Sequence, residues 1–266
     1  MGGMANKEFT GKIESDRILL EAAVREAGAL ALGYYHAGAR SWRKDDKSPV
    51  SEADLGVNRL LQSRLLRNRE SYGWLSEETA DTPERLGRSP VWIVDPIDGT
   101  RAFLNARPWW SISAALVFDG EPVLGVVYAP ALEACYEAVR GGGAWRNGQS
   151  IHTSACTRLE HCRLIAGQYA LRAKDWPQMQ IAQRNSVALR LALVASGEFD
   201  AAFTAGKKSE WDMAAGDLLL REAGGILTGI DGQSFTYNAR DTRRNGLLAA
   251  STAFHETFLA RIRALA

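Results

Sequence analysis

The stretch Val91-Trp92-Ile93-Val94-Asp95-Pro96-Ile97-Asp98-Gly99-Thr100 constrains this chain more than any other. Its first four residues are an unbroken apolar run, the pattern of a short buried strand. Asp95 ends the run, and Pro96 cannot donate to a ladder, so regular pairing is expected to stop there. Gly99 permits a tight turn and Thr100 can open a helix. Two carboxylates three residues apart therefore sit at the end of a core strand, with exposed backbone N–H groups directly after them. Such a turn offers a cation site beside an anion site. The cation would be hard, because every side-chain donor is oxygen. The simplest anion is a phosphate held at the helix start.

A second strand end repeats the design, since Trp74-Leu75-Ser76 runs into Glu77-Glu78. The repetition predicts two neighbouring strands sharing one site. Downstream, Asp212 is expected to cap a helix reaching about Ala223. The acids at element ends are thus Glu77, Asp95, Asp98 and Asp212. His36, His152, His161 and His255 fall in no motif and read as surface or internally satisfied residues. A serine nucleophile would lack its histidine base. Cys135, Cys156 and Cys162 are odd in number and form no CxxC, which argues against a disulfide framework or a zinc site and fits a reducing cytoplasm. Carboxylates without imidazole select Mg²⁺, with Mn²⁺ as a substitute. Two such ions about 3.5–4 Å apart would bind a phosphate ester, activate a water and stabilise the leaving alkoxide. Without a cation the same acids would repel one another. The predicted chemistry is phosphomonoester hydrolysis by direct attack of water, without a phosphoenzyme.

Charge and length narrow the partners. Lysine and arginine number 32 against 31 acidic residues, a net charge of +1. That lacks the basic excess of a nucleic-acid or membrane-surface binder and leaves a small phosphorylated substrate. No apolar run is long enough for a transmembrane helix. Met1-Gly2-Gly3-Met4 lacks the basic and apolar regions of a signal peptide, and Asn6 stands where a myristoylation signal needs Ser or Thr. A chain of 266 residues allows one large domain or two closely packed halves. The expected division is an N-terminal α+β half, 1–150, carrying the metal-binding motifs, and a C-terminal α/β half, 151–266, completing the site as one catalytic unit.

A helix is expected from Ser15 to about Arg40, capped by Ser15 or Asp16. The charged stretch Arg43 to Pro49 reads either as a solvated connection or as a lid bringing charge to the site. Ser51-Glu52-Ala53-Asp54 is a capping box opening a helix to about Arg69, so Asp54 reads first as a helix-start charge. Strands over 111–117, 123–128 and 134–139 form an antiparallel meander, and Asn147-Gly148 is a hairpin turn. Gly141-Gly142-Gly143, with no phosphate-loop lysine after it, reads as a turn. The second half reads βαβαβα. Its strands are 163–166, 199–203 and 247–250, and its helices are 187–195, 212–223 and 253–264. A polar loop is expected over 206–210. Trp109-Trp110 fits a dimer surface or the core equally.

Three segments together resemble the signatures of the inositol monophosphatase family. They are Leu75-Ser76-Glu77-Glu78, Trp92 to Thr100, and Trp211-Asp212-Met213-Ala214-Ala215-Gly216. The resemblance spans nearly the whole chain and implies a layered αβαβα sandwich and a Mg²⁺-dependent, lithium-sensitive phosphatase. It implies that Glu77, Asp95 and the Ile97 carbonyl hold a first metal. Asp95, Asp98 and Asp212 would hold a second, and Glu77 would contact a third. Thr100, oriented by Asp54, would help Glu77 position and deprotonate the attacking water, and the N–H groups of Gly99 and Thr100 would hold the phosphate. The loop at Lys44 to Lys47 would match the family's mobile metal-binding loop. Within the family, Ser76, Arg101 and Arg190 favour the 3'(2'),5'-bisphosphate nucleotidase branch, acting on adenosine 3',5'-bisphosphate. Ser186 and Arg190 are its candidate substrate contacts, although Asn185-Ser186 departs from the usual Gly-Ser. The alternatives are an inositol-1-monophosphatase or a histidinol-phosphate phosphatase with the same metal site. A binding protein that has lost turnover is a third reading, which the intact acids oppose.

Overall fold

Trp92, Ile93 and Val94 alternate between two apolar environments, so the strand they build must be covered on both faces. The structure, a computed structural model, describes residues 2–45, 47–67, 69–166 and 176–265. The central strand is β4 (Val91–Asp98), buried along its whole length. We number the strands β1 to β14 and the helices α1 to α6 in chain order. β4 belongs to a seven-stranded sheet of order β3-β4-β5-β6-β7-β8-β9. Its members are β3 (Gly73–Ser76), β5 (Ser111–Phe118), β6 (Glu121–Ala129), β7 (Ala134–Val139), β8 (Gly143–Arg146) and β9 (Gln149–Ser150). Only the β3–β4 pair is parallel.

On one face of this sheet lie α1 (Gly2–Ala37) and α2 (Glu52–Leu66). Trp92, Val94, Ile112 and Leu116 meet Leu20, Val24, Val57 and Leu61 there in one apolar cluster. On the other face lie α4 (Val187–Ala195) and α5 (Glu210–Glu222), which also pack on a second sheet of order β11-β10-β12-β14-β13. This second sheet contains β10 (Arg163–Ala166), β11 (Gln180–Gln183), β12 (Ala201–Ser209), β13 (Gly225–Thr228) and β14 (Arg243–Ser251). Its far face is covered by α6 (Thr252–Leu265), where Phe254 and Phe258 pack on Leu164, Phe203 and Leu248. The layers run helix, sheet, helix, sheet, helix, which is the expected αβαβα sandwich. Among the described residues no helix is long and apolar enough to cross a membrane.

The middle helical layer is covered on both sides, and in α4 every one of its nine residues is buried, Arg190 being the one that is not apolar. α5 approaches the first sheet very closely at Gly125, where a Cβ would stand 3.0 Å from the Ala215 carbonyl oxygen and 3.1 Å from Ala215 Cα. Both are helix backbone atoms and cannot swing aside. Gly125→Val is therefore expected to cost about 2–4 kcal/mol, the upper range for overpacking. Urea denaturation measures it; a loss below about 0.5 kcal/mol, the scale of an ordinary surface substitution, would show that the layers slide freely.

Several sequence expectations need correction. α1 begins well before Ser15 and ends at Ala37, where Gly38 at φ 81° supplies the left-handed C-terminal stop. β4 does not stop at Asp95 but runs to Asp98, because a one-residue bulge between Asp95 and Asp98 absorbs Pro96, the setting in which a strand tolerates proline. The charged stretch after Ala37 is a hairpin, not a plain loop: β1 (Ser41–Arg43) pairs with β2 (Pro49–Ser51), and Lys44 to Ser48 form its tip. Asp46 of that tip lies outside the described residues. The polar segment 206–210 is largely strand, since β12 continues past a bulge at Thr204/Lys207 and pairs with polar residues 243–245 of β14. The second half is not a simple βαβαβα, for β11 and β13 add two further short strands. Trp110 is fully buried in the core; its indole N–H finds no acceptor among the described residues.

Candidate active site

The parallel pairing of β3 with β4 sets Ser76 opposite Val94, so both chains leave the sheet at the same level. The Glu77 N–H donates to the Val94 carbonyl at 3.3 Å, which aligns Glu77 with Asp95. The turn after β3 is fixed by Asn58 of α2: Ser76 Oγ donates to Asn58 Oδ1 at 2.7 Å, and Asn58 Nδ2 donates to Thr79 Oγ1 at 3.0 Å. Ser76 thus shapes the acidic turn from inside the protein.

The bulge in β4 turns Asp95 and Asp98 to the same side. The Ile97 N–H donates to Asp95 Oδ1 at 3.0 Å. Asp98 Oδ2 accepts from Ser186 Oγ and from the Ala188 N–H, both at 2.6 Å, so it seats on the first turn of α4. Asp212 arrives from the second half. It does not cap α5 itself; Ser209 does, and Asp212 is the third helical residue of a capping box, accepting from the Ser209 N–H at 2.9 Å. One carboxylate oxygen from each of Asp95, Asp98 and Asp212 lies within 4.8 Å of the others.

Burial and mutual repulsion act together on these acids. Burial, then the charges of Glu77, Asp98, Asp212 and Asp54, hold the Asp95 carboxyl well above the usual carboxylate range. Burial and then Asp98 push Asp212 up to about 7, against the opposing pull of Lys208 and the Ser209 N–H. Asp98 is raised by burial and partly relieved by Ser186, the Ala188 N–H, Arg190 and Lys208. Three converging carboxylates whose charged forms are disfavoured by burial and by one another are what a hard divalent cation would stabilise. The donor set, oxygen alone and without imidazole or thiolate, fits such an ion.

Glu77 lies outside this trio. Its Oε1 accepts from Lys44 Nζ at 3.0 Å, and the same ammonium reaches Glu78 Oε1 at 2.5 Å. The hairpin tip thus brings a positive charge onto the acidic turn. Burial pushes Glu78 up to about 7 despite the Lys44 contact. Asp54 serves two elements: Oδ2 accepts the Ser51 N–H at 2.8 Å, closing the capping box of α2, while Oδ1 accepts from Thr100 Oγ1 at 3.2 Å. Thr100 opens α3 (Thr100–Leu104), and Gly99 precedes it in the left-handed region at φ 95°. Thr100 Oγ1 also lies 3.2 Å from the Ile97 carbonyl.

Ser186 and Arg190 are occupied within the protein. Ser186 Oγ donates to Asp98, accepts from the Leu189 N–H at 2.9 Å, and meets Ser111 Oγ at 2.9 Å. The Arg190 guanidinium is buried and donates to the Ser186 carbonyl, Thr204 Oγ1 and the Asn185 carbonyl. The sequence reading missed Lys208, placed in a loop but carried by β12 to within electrostatic reach of Asp98 and Asp212. It also missed Ser111, whose place facing Ser186 follows only from the β4–β5 register. No local pattern marks either. The glycine-rich turn is used internally, since the N–H groups of Gly141 and Gly143 bind the Glu222 carboxylate.

Comparison with known proteins agrees with this geometry. A 3'(2'),5'-bisphosphate nucleotidase of Aggregatibacter actinomycetemcomitans is 33% identical over 82% of this chain and 86% of its own length. An inositol-1-monophosphatase of Rhizobium meliloti is 37% identical over 69% of this chain and 73% of its own. The solved IMPase of Thermotoga maritima superposes with a TM-score of 0.81 at 27% identity, covering 97% of this chain and 98% of that one. The model of the inositol monophosphatase family matches residues 13–265. On these matches and on the acidic cluster that β4 and α5 build, the chain belongs to the inositol monophosphatase family.

Proposed function

We propose that this phosphatase hydrolyses 3'(2'),5'-bisphosphate nucleotides, with Mg²⁺ as its natural ion and Mn²⁺ as a substitute, and that the halves 1–150 and 151–266 work as one catalytic unit. Family members are metal-dependent phosphatases acting on phosphate monoesters, so hydrolysis itself follows from membership. The observation that carries the reading is the trio of oxygens from Asp95, Asp98 and Asp212 within 4.8 Å of one another. These residues, with Glu77 and the Ile97 carbonyl, are the proposed metal ligands. The bound ions would supply positive charge that favours the attacking water and the departing alkoxide.

The protein's own groups orient the rest. Asp54 Oδ1 accepts the Thr100 hydroxyl proton, which leaves a Thr100 lone pair for a water molecule. Glu77 takes the proton as that water attacks phosphorus. The P–O ester bond breaks on the opposite side, and the leaving alkoxide takes a proton from solvent. The N–H groups of Gly99 and Thr100 hold the phosphate oxygens. Arg190, with three of its donors committed inside the protein, contributes through its charge behind Asp98 more than by direct contact.

The nucleotide assignment is supported by the nucleotidase relative that matches over 82% of this chain, and by Arg101, a basic side chain exposed next to Thr100. A second reading, inositol 1-phosphate, is favoured by the 37% identity of the Rhizobium enzyme over a shorter span. Comparing kcat/KM for adenosine 3',5'-bisphosphate and inositol 1-phosphate in Mg²⁺ decides between them. We expect the nucleotide to be preferred. A hundredfold preference for the inositol ester would replace the first reading with the second.

A further inference from the structure

Ser186 and three of the five Arg190 donors are bonded to other parts of the protein, so little of either remains for the part of the substrate that leaves. A cavity of about 470 Å³ opens between the β1–β2 hairpin and α3. Its volume falls in the range of small-molecule sites. Its walls include Trp42, Arg43 and Pro49 from the hairpin and Arg101 and Leu104 from α3. Each wall is one residue along the chain from a group of the site. Arg101 follows Thr100, and Arg43 precedes Lys44, whose ammonium sits on Glu77.

Three features of this groove bear on its ligand. Trp42 is 47% exposed, one of only three large hydrophobic side chains so open among the described residues. The Arg101 guanidinium has no hydrogen-bond or ion-pair partner among them, and Arg43 makes only a 3.3 Å bond to the Lys47 carbonyl. No acidic side chain lines the cavity, so its two cations are uncompensated there. An open indole face takes a planar ring, and paired guanidinium groups take a phosphate.

The geometry points to this groove as the subsite for a leaving alcohol that carries a planar ring and a second phosphate. The ring lies on Trp42 and the remote phosphate meets Arg43 and Arg101. This rests on the nucleotide reading above and deepens it by naming the residues that recognise the nucleoside. An inositol ring is neither planar nor aromatic and gains little from Trp42.

The test is the ratio of kcat/KM for adenosine 3',5'-bisphosphate to that for inositol 1-phosphate. Trp42→Ala is expected to lower it about tenfold or more, the scale of one lost base–aromatic stack, while Trp42→Phe retains most of it. Arg101→Gln is expected to lower the preference for the bisphosphate over adenosine 3'-monophosphate by about tenfold, because a charge-assisted contact is lost. Nucleotide turnover with both ratios unchanged overturns the groove while sparing the nucleotidase reading. Wild-type protein that hydrolyses inositol 1-phosphate and no nucleotide overturns both. If Trp42→Ala lowers the melting temperature, Trp42→Leu carries the same test, since it keeps the apolar bulk and removes only the aromatic face.

Discussion

Asp95→Asn is expected to lower phosphatase activity by roughly a thousandfold or more and, at the same time, to raise the melting temperature of the metal-free protein. The first effect follows from charge. Asp95 is buried among Asp98, Asp212, Glu77 and Asp54, and in the proposed site it is the one ligand shared by both metals. A metal's contribution to phosphoryl chemistry is several kcal/mol, and each factor of ten in rate is about 1.4 kcal/mol. The second effect follows from the same crowding. Asparagine keeps an oxygen for the Ile97 N–H and removes one of the mutually repelling carboxylates. Each kcal/mol relieved moves the melting point by about 2–4 °C in a chain of this size. Activity across a Mg²⁺ series and calorimetry in chelator measure the two. Full Mg²⁺-dependent turnover by the variant would remove Asp95 from the site. An unchanged or lower melting point in chelator would mean that the acids do not strain the metal-free fold.

The site's components were legible in the sequence because they lie at element ends, where local chemistry is explicit. The Ser51–Asp54 capping box forms as written, and strands 134–139 and 163–166 and helix 187–195 have the boundaries their apolar patterns imply. Glu77 and Asp95 are neighbours because strand-end acids on adjacent parallel strands must be. What could not be read is register. The bulge that lets Pro96 remain in β4, the facing of Ser111 and Ser186, and the arrival of Lys208 near Asp98 are all set by pairing between distant strands. The β1–β2 hairpin was hidden for a different reason. Its strands have three residues each, and β1 is exposed throughout, so no alternation betrays them. That concealment matters, because this hairpin carries both Lys44 and Trp42. Arg190, a substrate candidate by resemblance, also has a structural place that no helix pattern marks, since two of its donors close the Asn185–Ser186 turn beneath Asp98.

Gly99→Ala is expected to disable catalysis by about a hundredfold or more while costing about 2–3 kcal/mol of stability. Two costs coincide at this residue. An L-residue held at φ 95° pays roughly 1–2 kcal/mol for its backbone alone. The added Cβ would also stand 3.0 Å from the Trp109 carbonyl oxygen and 3.1 Å from the Ser186 amide nitrogen, both backbone atoms. Something must move, and each candidate touches the site. Ser186 holds Asp98 and caps α4, while Gly99 itself joins Asp98 to Thr100. A misplacement of a few tenths of an ångström there separates a metal ligand from the hydroxyl proposed to orient the water, and catalysis is steep in such distances. Gly38→Ala separates the two costs. Gly38 has a similar φ of 81° with nothing within 4 Å of its Cβ position. That variant should lose the backbone term in stability and keep its turnover. If Gly99→Ala proves no worse than Gly38→Ala in either measurement, the close approach of Ser186 to the catalytic turn is not what fixes Asp98 beside Thr100.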